Sequence, residues 1–78
     1  DVLTNHETDY FSELTQRERE VLAYIVEGLS NEEIAQELVL SASTIKNHVS
    51  SILAKLDVNS RAKASHLAIK HNLTNNAV

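Results

Sequence analysis

Residues 41–56 read SASTIKNHVSSILAKL, and this stretch decides the fold that we predict for the chain. At about 100° per residue, its apolar residues fall on one side of a helix. They are Ile45, Val49, Ile52, Leu53 and Leu56. The opposite side carries Ser43, Asn47, Ser50, Ser51 and Ala54, flanked by Lys46 and by Thr44, His48 and Lys55. This side holds no acid, whereas exposed helix faces usually pair Glu with Lys. It is either a hydrogen-bond-donating surface for an anionic partner or an ordinary serine-rich exterior.

Composition favours a short all-helical bundle, because the 78 residues include one Gly and no Pro. The absence of Cys excludes a disulfide framework and a Cys-based zinc site. No apolar run approaches the roughly 18 residues of a membrane span, and the first residues lack the basic start of a signal peptide. We therefore expect a soluble, cytoplasmic protein with no membrane contact. Because no Met occurs, we also expect a further domain upstream.

Charge is unevenly distributed along the chain, although the net charge is only −4. Residues 1–40 hold two basic residues against ten acidic ones, whereas residues 41–78 hold five basic residues against Asp57 alone. The local sign of charge matters more than the total for a nucleic-acid contact. The basic half contains the helix of residues 41–56.

The first half of the chain predicts a linker and two helices. Residues 1–13 show no period and are interpreted as a linker, with Tyr10 and Phe11 able to fold back onto the domain. The spacing Thr15-x-x-Glu18 is a capping box that starts a helix reaching to about Glu27, and Gly28 ends it in the left-handed conformation. A second, short helix, NEEIAQEL, is expected to be capped by Asn31.

The link between the second and third helices is short. Val39 and Leu40 form a tight apolar turn before Ser41, which we expect to cap the third helix. A short helix, a tight turn and a longer helix form the helix-turn-helix arrangement. Ala35 fits it, because a small residue lets two crossing helices approach closely.

A fourth helix is predicted over residues 61–71, capped by Ser60. Its Ala64, Leu67 and Ala68 are expected to pack inward. Ala62, Ser65 and Ile69 would form a second stripe. Ile69 on that stripe either contacts a partner or completes the core.

Three segments together resemble a known family. They are LTQREREVL (14–22), GLSNEEIA (28–35) and SASTIKNHV (41–49), followed by Lys55-Leu56 and Arg61-x-x-Ala64. They closely resemble the LuxR-type helix-turn-helix domain, especially that of NarL/FixJ-type response regulators. The resemblance covers about residues 14–73, which leaves residues 74–78 as a tail.

The resemblance implies an all-α, four-helix domain that binds double-stranded promoter DNA. Helix 42–56 would enter the major groove, and helix 61–71 would form a homodimer through Ala62, Ser65 and Ile69. An upstream receiver domain and a sensor kinase would control it in the full-length protein. Quorum-sensing regulators share the domain, so a ligand-binding upstream domain is the alternative within the family.

Residue roles follow from position and chemistry. Lys46 and Asn47 match the base-reading positions of the family, where Lys suits guanine and Asn suits adenine. Ser50, one turn on, replaces the longer basic residue of some relatives, so we expect more shape or water-mediated selection. The expected phosphate contacts are Asn31, Ser43, Thr44, His48, Lys55 and Arg61.

Two of these positions have a structural alternative, and Glu18 of the first helix has a structural role. His48 can instead be a half-buried ring bonded to the backbone, and Lys55 can cap the carbonyl end of its helix. For Glu18 we favour a role in the capping box. The family also suggests that one carboxylate of the first helix, among Glu18 and Glu20, pairs with a basic residue of the third helix and holds it in place. We do not expect either glutamate to contact DNA.

Two other functions compete with DNA reading. The acidic first half suits an adaptor that binds a basic protein surface, such as part of RNA polymerase. An enzyme is not expected, because His66 and His71 are five residues apart and one Gly cannot form a phosphate loop. The sequence predicts no catalytic residue, no metal site and no cofactor.

Overall fold

The structure, a computed structural model, describes residues 11–71. Four helices lie in this range. In chain order they are α1, Gln16–Val26; α2, Asn31–Leu38; α3, Ala42–Leu56; and α4, Arg61–Lys70. They confirm the all-α class and the four predicted helices. Residues 39–41 separate α2 from α3, which is the short link of a helix-turn-helix unit. None of the helices in residues 11–71 has both the length and the apolar character to cross a membrane.

Side-chain caps start the helices largely where the sequence predicts them. The Thr15 hydroxyl accepts a hydrogen bond from the Glu18 amide at 3.1 Å, and the Glu18 carboxylate accepts one from the Thr15 amide at 2.9 Å. Ser41 caps α3 and Ser60 caps α4, each accepting from an amide three residues on. These bonds satisfy amides that the first helical turn leaves without a partner.

The prediction that Asn31 caps α2 is wrong by one residue. The cap is Ser30, whose hydroxyl accepts from the Glu33 amide at 3.2 Å. In return, Glu33 accepts from the Ser30 amide at 2.8 Å. A cap at Ser30 gains this reciprocal bond because Glu33 lies three residues on. Three residues after Asn31 lies Ile34, whose apolar side chain cannot accept a hydrogen bond from the cap amide.

The hydrophobic core lies where α1, α3 and α4 meet and extends between α2 and α3. Its buried residues are Phe11, Leu14, Val21, Leu22, Ile25, Ile34, Ala35, Ile45, Val49, Ile52, Ala64 and Ala68. Ala64 and Ala68 pack inward as expected, whereas Leu67 is only half-buried.

Phe11 folds back onto the domain as the sequence suggests. Its carbonyl accepts a hydrogen bond from Arg19 at 2.8 Å. Its ring lies edge-on to His71, with centroids 6.3 Å apart. Tyr10 lies outside the described residues.

Three left-handed residues end or follow the first three helices. Gly28, at φ 92°, follows α1 as predicted. Val39 and Asp57 end α2 and α3, both at φ 58°. The left-handed conformation of Val39 is not expected from sequence, because β-branched residues rarely adopt it.

Candidate nucleic-acid interface

Four polar side chains share the outward face of α3. Ser43, Lys46, Asn47 and Ser50 are all exposed, and the helix turns its buried residues to the other side. Their spacing of three and four residues places them on one face. The 15 residues of α3 span roughly 22 Å, and the major groove of DNA is wide enough to admit such a helix.

The start of α3 is well ordered by Ser41. Its hydroxyl accepts from the Thr44 amide at 3.0 Å and donates to the Thr44 hydroxyl at 2.9 Å. Unlike α1 and α2, α3 has no acidic residue in its first turn. The positive end of its dipole is therefore not neutralised by a carboxylate, which suits a phosphate near Ser43 and Thr44.

Glu18 of α1 joins the start of α1 to one edge of α3. Its carboxylate accepts from the Ser51 hydroxyl at 2.7 Å and from the Lys55 ammonium at 2.9 Å. The same carboxylate also completes the capping box with Thr15. Glu18 therefore serves the capping box and is also the helix-one carboxylate that pairs with a basic residue of α3, while Ser51 faces Glu18 instead of lying on the outward face.

The environment of Glu18 favours its charged form. Burial alone would raise the pKa of this carboxyl group. Hydrogen bonds from Lys55, Ser51 and the Thr15 amide, together with the charge of Lys55, outweigh burial and lower the pKa from 4.5 to about 2. The carboxylate is therefore ionised at neutral pH and holds Lys55 at the edge of α3.

Arg61 connects the start of α4 to the start of α2. Its guanidinium donates to the Asn31 side-chain oxygen at 2.8 Å and to the Leu29 carbonyl at 2.6 Å. Two of the predicted phosphate contacts, Arg61 and Asn31, are thus bonded to each other. The start of α2 also carries the exposed acids Glu32 and Glu33, which disfavour a phosphate there.

The remaining predicted residues lie on α3 and α4. His48 is half-buried on α3. Lys55 donates to the Glu18 carboxylate at 2.9 Å. Ala62 is exposed, Ser65 is half-exposed and Ile69 is 58% exposed. Ile69 therefore does not complete the core of residues 11–71.

A known protein family accounts for this arrangement. The family described as "Bacterial regulatory proteins, luxR family" matches residues 12–68, which include α1, α2, α3 and most of α4. The chain belongs to this LuxR family. Residues 12–68 are therefore a LuxR-type helix-turn-helix DNA-binding domain of a transcription regulator, with α2 and α3 as the helix-turn-helix pair.

Several curated relatives of the LuxR domain are similar over most of this chain. The uncharacterized transcriptional regulatory protein YhcZ of Bacillus subtilis is 48% identical over 67 residues, 86% of the chain and 31% of that protein. The transcriptional regulatory protein LiaR of the same species is 45% identical over 62 residues, 80% of the chain and 29% of that protein. The response regulator protein VraR of Staphylococcus aureus is 45% identical over 65 residues, 83% of the chain and 31% of that protein. The chain thus spans less than a third of these relatives.

Two residues of this LuxR domain were missed from sequence. Ser51 was assigned to the outward face, but the half-buried Ser51 lies four residues before Lys55 and shares its edge of α3. That i,i+4 spacing was the available signal. Glu33 was not predicted as a capping residue, although its spacing from Ser30 matches a capping box.

Proposed function

We propose that this LuxR-type domain binds promoter DNA sequence-specifically as the effector domain of a two-component response regulator. In this proposal, α3 lies in the major groove and α4 forms a homodimer on DNA. The observation that carries the proposal is the outward face of α3, which is polar, contains Lys46 and lacks any acid. The exposed acids of α2, at Glu32, Glu33 and Glu37, lie outside this helix.

Lys46, Asn47 and Ser50 are the proposed base contacts. All three are exposed on the outward face of α3 and can reach base edges without moving a buried group. Lys46 would donate to guanine, and Asn47 would pair with adenine. The short Ser50 would contribute through water.

The proposed phosphate contacts are Asn31, Ser43, Thr44, His48, Lys55 and Arg61. Ser43 and Thr44 have the strongest support, because they lie in the acid-free first turn of α3. Lys55 and Arg61 already donate to protein oxygens. Each can still contact a phosphate, since ammonium has three N–H donors and guanidinium five.

Selection of random duplexes on the purified domain, at two salt concentrations, tests the proposal. We expect recovery of an inverted repeat whose half-site centres lie about one helical turn apart. Affinity should fall steeply with salt, because phosphate contacts release counterions. A folded sample that binds no duplex at low salt would instead favour an acidic adaptor that contacts protein through α1 and α2.

Substituting Ser43 with Ala should weaken binding to every duplex alike, by roughly tenfold, the worth of one hydrogen bond to a charged group. The reason is that a phosphate contact carries no sequence information. Titration of the selected site and of a scrambled duplex measures the effect. Ser50→Ala is the matched control, because it should alter preference at one base pair. A base-specific effect of Ser43→Ala would contradict the phosphate role.

Replacing Ile69 with Glu should weaken cooperative binding to a duplex with two half-sites but not binding to one half-site. A charge at this exposed position opposes close packing of two α4 helices, while the core of the monomer stays intact. We expect at least a fivefold loss on the two-site duplex, about the cost of 1 kcal/mol at the contact. Gln36→Glu, which adds the same charge on exposed α2, should leave cooperativity unchanged. Equal losses on both duplexes would argue against α4 as the dimer contact.

The wider setting of the proposal rests on the relatives. VraR is named a response regulator, so we propose an upstream receiver domain, a sensor kinase and a cytoplasmic location for the full-length protein. RNA polymerase is a proposed partner of the acidic first half of the chain, through a basic surface of the polymerase. A ligand-sensing upstream domain is the alternative, and phosphorylation of the full-length protein by a cognate kinase would exclude it.

A further inference from the structure

Val39, in the turn between α2 and α3, has a conformation that its side chain disfavours. Its backbone lies at φ 58° and ψ 49°. A β-branched residue in this left-handed region is a genuine outlier, because its Cβ approaches backbone oxygen too closely. The side chain gains no packing in return, since Val39 is 87% exposed.

Asp57 adopts the same left-handed conformation at the end of α3, but without the steric strain of a β-branched side chain. It ends α3 at φ 58° and ψ 45°, nearly the angles of Val39. Asp and Asn adopt the left-handed region readily, because their short polar side chains bond locally. Val39 therefore lies at a position where Asn or Gly would be more stable. A strained residue that persists is a reason to look for a function.

The turn directs Val39 outward at the start of the DNA-reading helix. Leu40, the next residue, is half-buried, and its amide donates to the Ala35 carbonyl at 2.9 Å. Val39 is exposed and precedes the cap residue Ser41 by two positions. An exposed apolar side chain is thus held beside the acid-free first turn of α3.

We propose that Val39 is a DNA-contacting residue that packs against apolar surface of the duplex at this end of α3. The Val39 side chain would contact C–H groups of the duplex. These belong either to a thymine methyl in the major groove or to a deoxyribose of the backbone. Apolar side chains read thymine through its methyl group. The inference rests on the proposed DNA binding and adds a residue that none of the predicted contacts includes.

The test compares wild type, Val39→Asn and Val39→Thr on the selected duplex. Asn removes both the strain and the apolar contact, so Val39→Asn should melt at a higher temperature and bind about fourfold more weakly, the worth of one buried methylene-sized group. Thr keeps the β-branch and the shape, so Val39→Thr should gain no stability and should bind with intermediate affinity. Unchanged affinity of Val39→Asn would overturn the proposal.

Replacing each thymine in turn by deoxyuridine, which lacks the methyl group, identifies the contacted surface. A thymine contact predicts one position at which wild type loses about fourfold and Val39→Asn loses nothing further. A deoxyribose contact predicts that Val39→Asn is weaker on all sequences and that no thymine is special. If wild type binds no duplex, the proposed function itself fails. If wild type binds and Val39→Asn binds equally, only the role of Val39 fails.

Discussion

Replacing Lys46 with Ala is expected to lower affinity for the selected site by roughly tenfold to a hundredfold, the range of one good base contact. Lys46 is exposed on the outward face of α3 and takes no part in the core. Its removal should therefore leave the temperature of thermal unfolding unchanged. Specificity should also relax at one base pair, because the lost contact reads a base.

Titration of the selected duplex and of single-base variants measures this loss. Lys70→Ala is the matched control, because it removes the same charge from an exposed position in the last turn of α4. If both variants weaken binding equally and on every sequence, Lys46 contributes only general electrostatic attraction. A large drop in melting temperature for Lys46→Ala would instead mean that Lys46 supports the fold.

Local patterns predicted the helices of this domain because their causes are local. The helical period of Ile45, Val49 and Ile52 placed one face of α3 in the core, where the structure has it. The hydroxyl caps at Thr15 and Ser41 act over three residues, so spacing alone revealed them. The cap of α2 was predicted one residue late, at Asn31, because the acid that lies three residues after Ser30 was not taken into account.

Contacts between distant segments were harder to predict. Ser51 and Lys55 lie 33 and 37 residues from Glu18 along the chain. Periodicity places residues on a face but does not say which neighbouring helix meets its edge. Only the family resemblance indicated that a carboxylate of α1 holds a basic side chain of α3. The left-handed Val39 had no local signal at all, since neither Gly nor Asn marks that turn.

Glu18 links the stability of the domain to the orientation of α3, the proposed DNA-reading helix. Only 5% of the residue is exposed, and its carboxylate bonds to the start of α1 and to one edge of α3. These bonds lie at Ser51 and Lys55, so they leave the outward face of α3 exposed. The carboxylate that helps to start α1 thus also holds the helix that carries Lys46.

Replacing Glu18 with Gln is therefore expected to lower the free energy of unfolding at pH 7 by about 2 to 3 kcal/mol, the loss of charge-assisted hydrogen bonds. The loss should not reach that of a fully buried ion pair, because the Lys55 side chain is 32% exposed and remains hydrated. Glu20→Gln is the control on the same helix. Its exposed ion pair with Arg17, at 3.1 Å, should contribute at most about 1 kcal/mol.

The pH dependence of stability separates the two glutamates further. The pKa of Glu18 is about 2 in the folded state against 4.5 as its ordinary value. Its contribution is therefore complete above pH 4.5 and is lost as pH falls toward 2, and it amounts to about 3 kcal/mol. Urea unfolding of wild type and both variants between pH 7 and pH 2 should show a steep loss of stability in acid that Glu18→Gln lacks and Glu20→Gln retains.

If Glu18→Gln were as stable as wild type and lost stability equally in acid, Glu18 would not hold α3. A weaker affinity of Glu18→Gln for the selected duplex, at a temperature where it stays folded, would show that this carboxylate also positions the outward face of α3 for the proposed DNA contact.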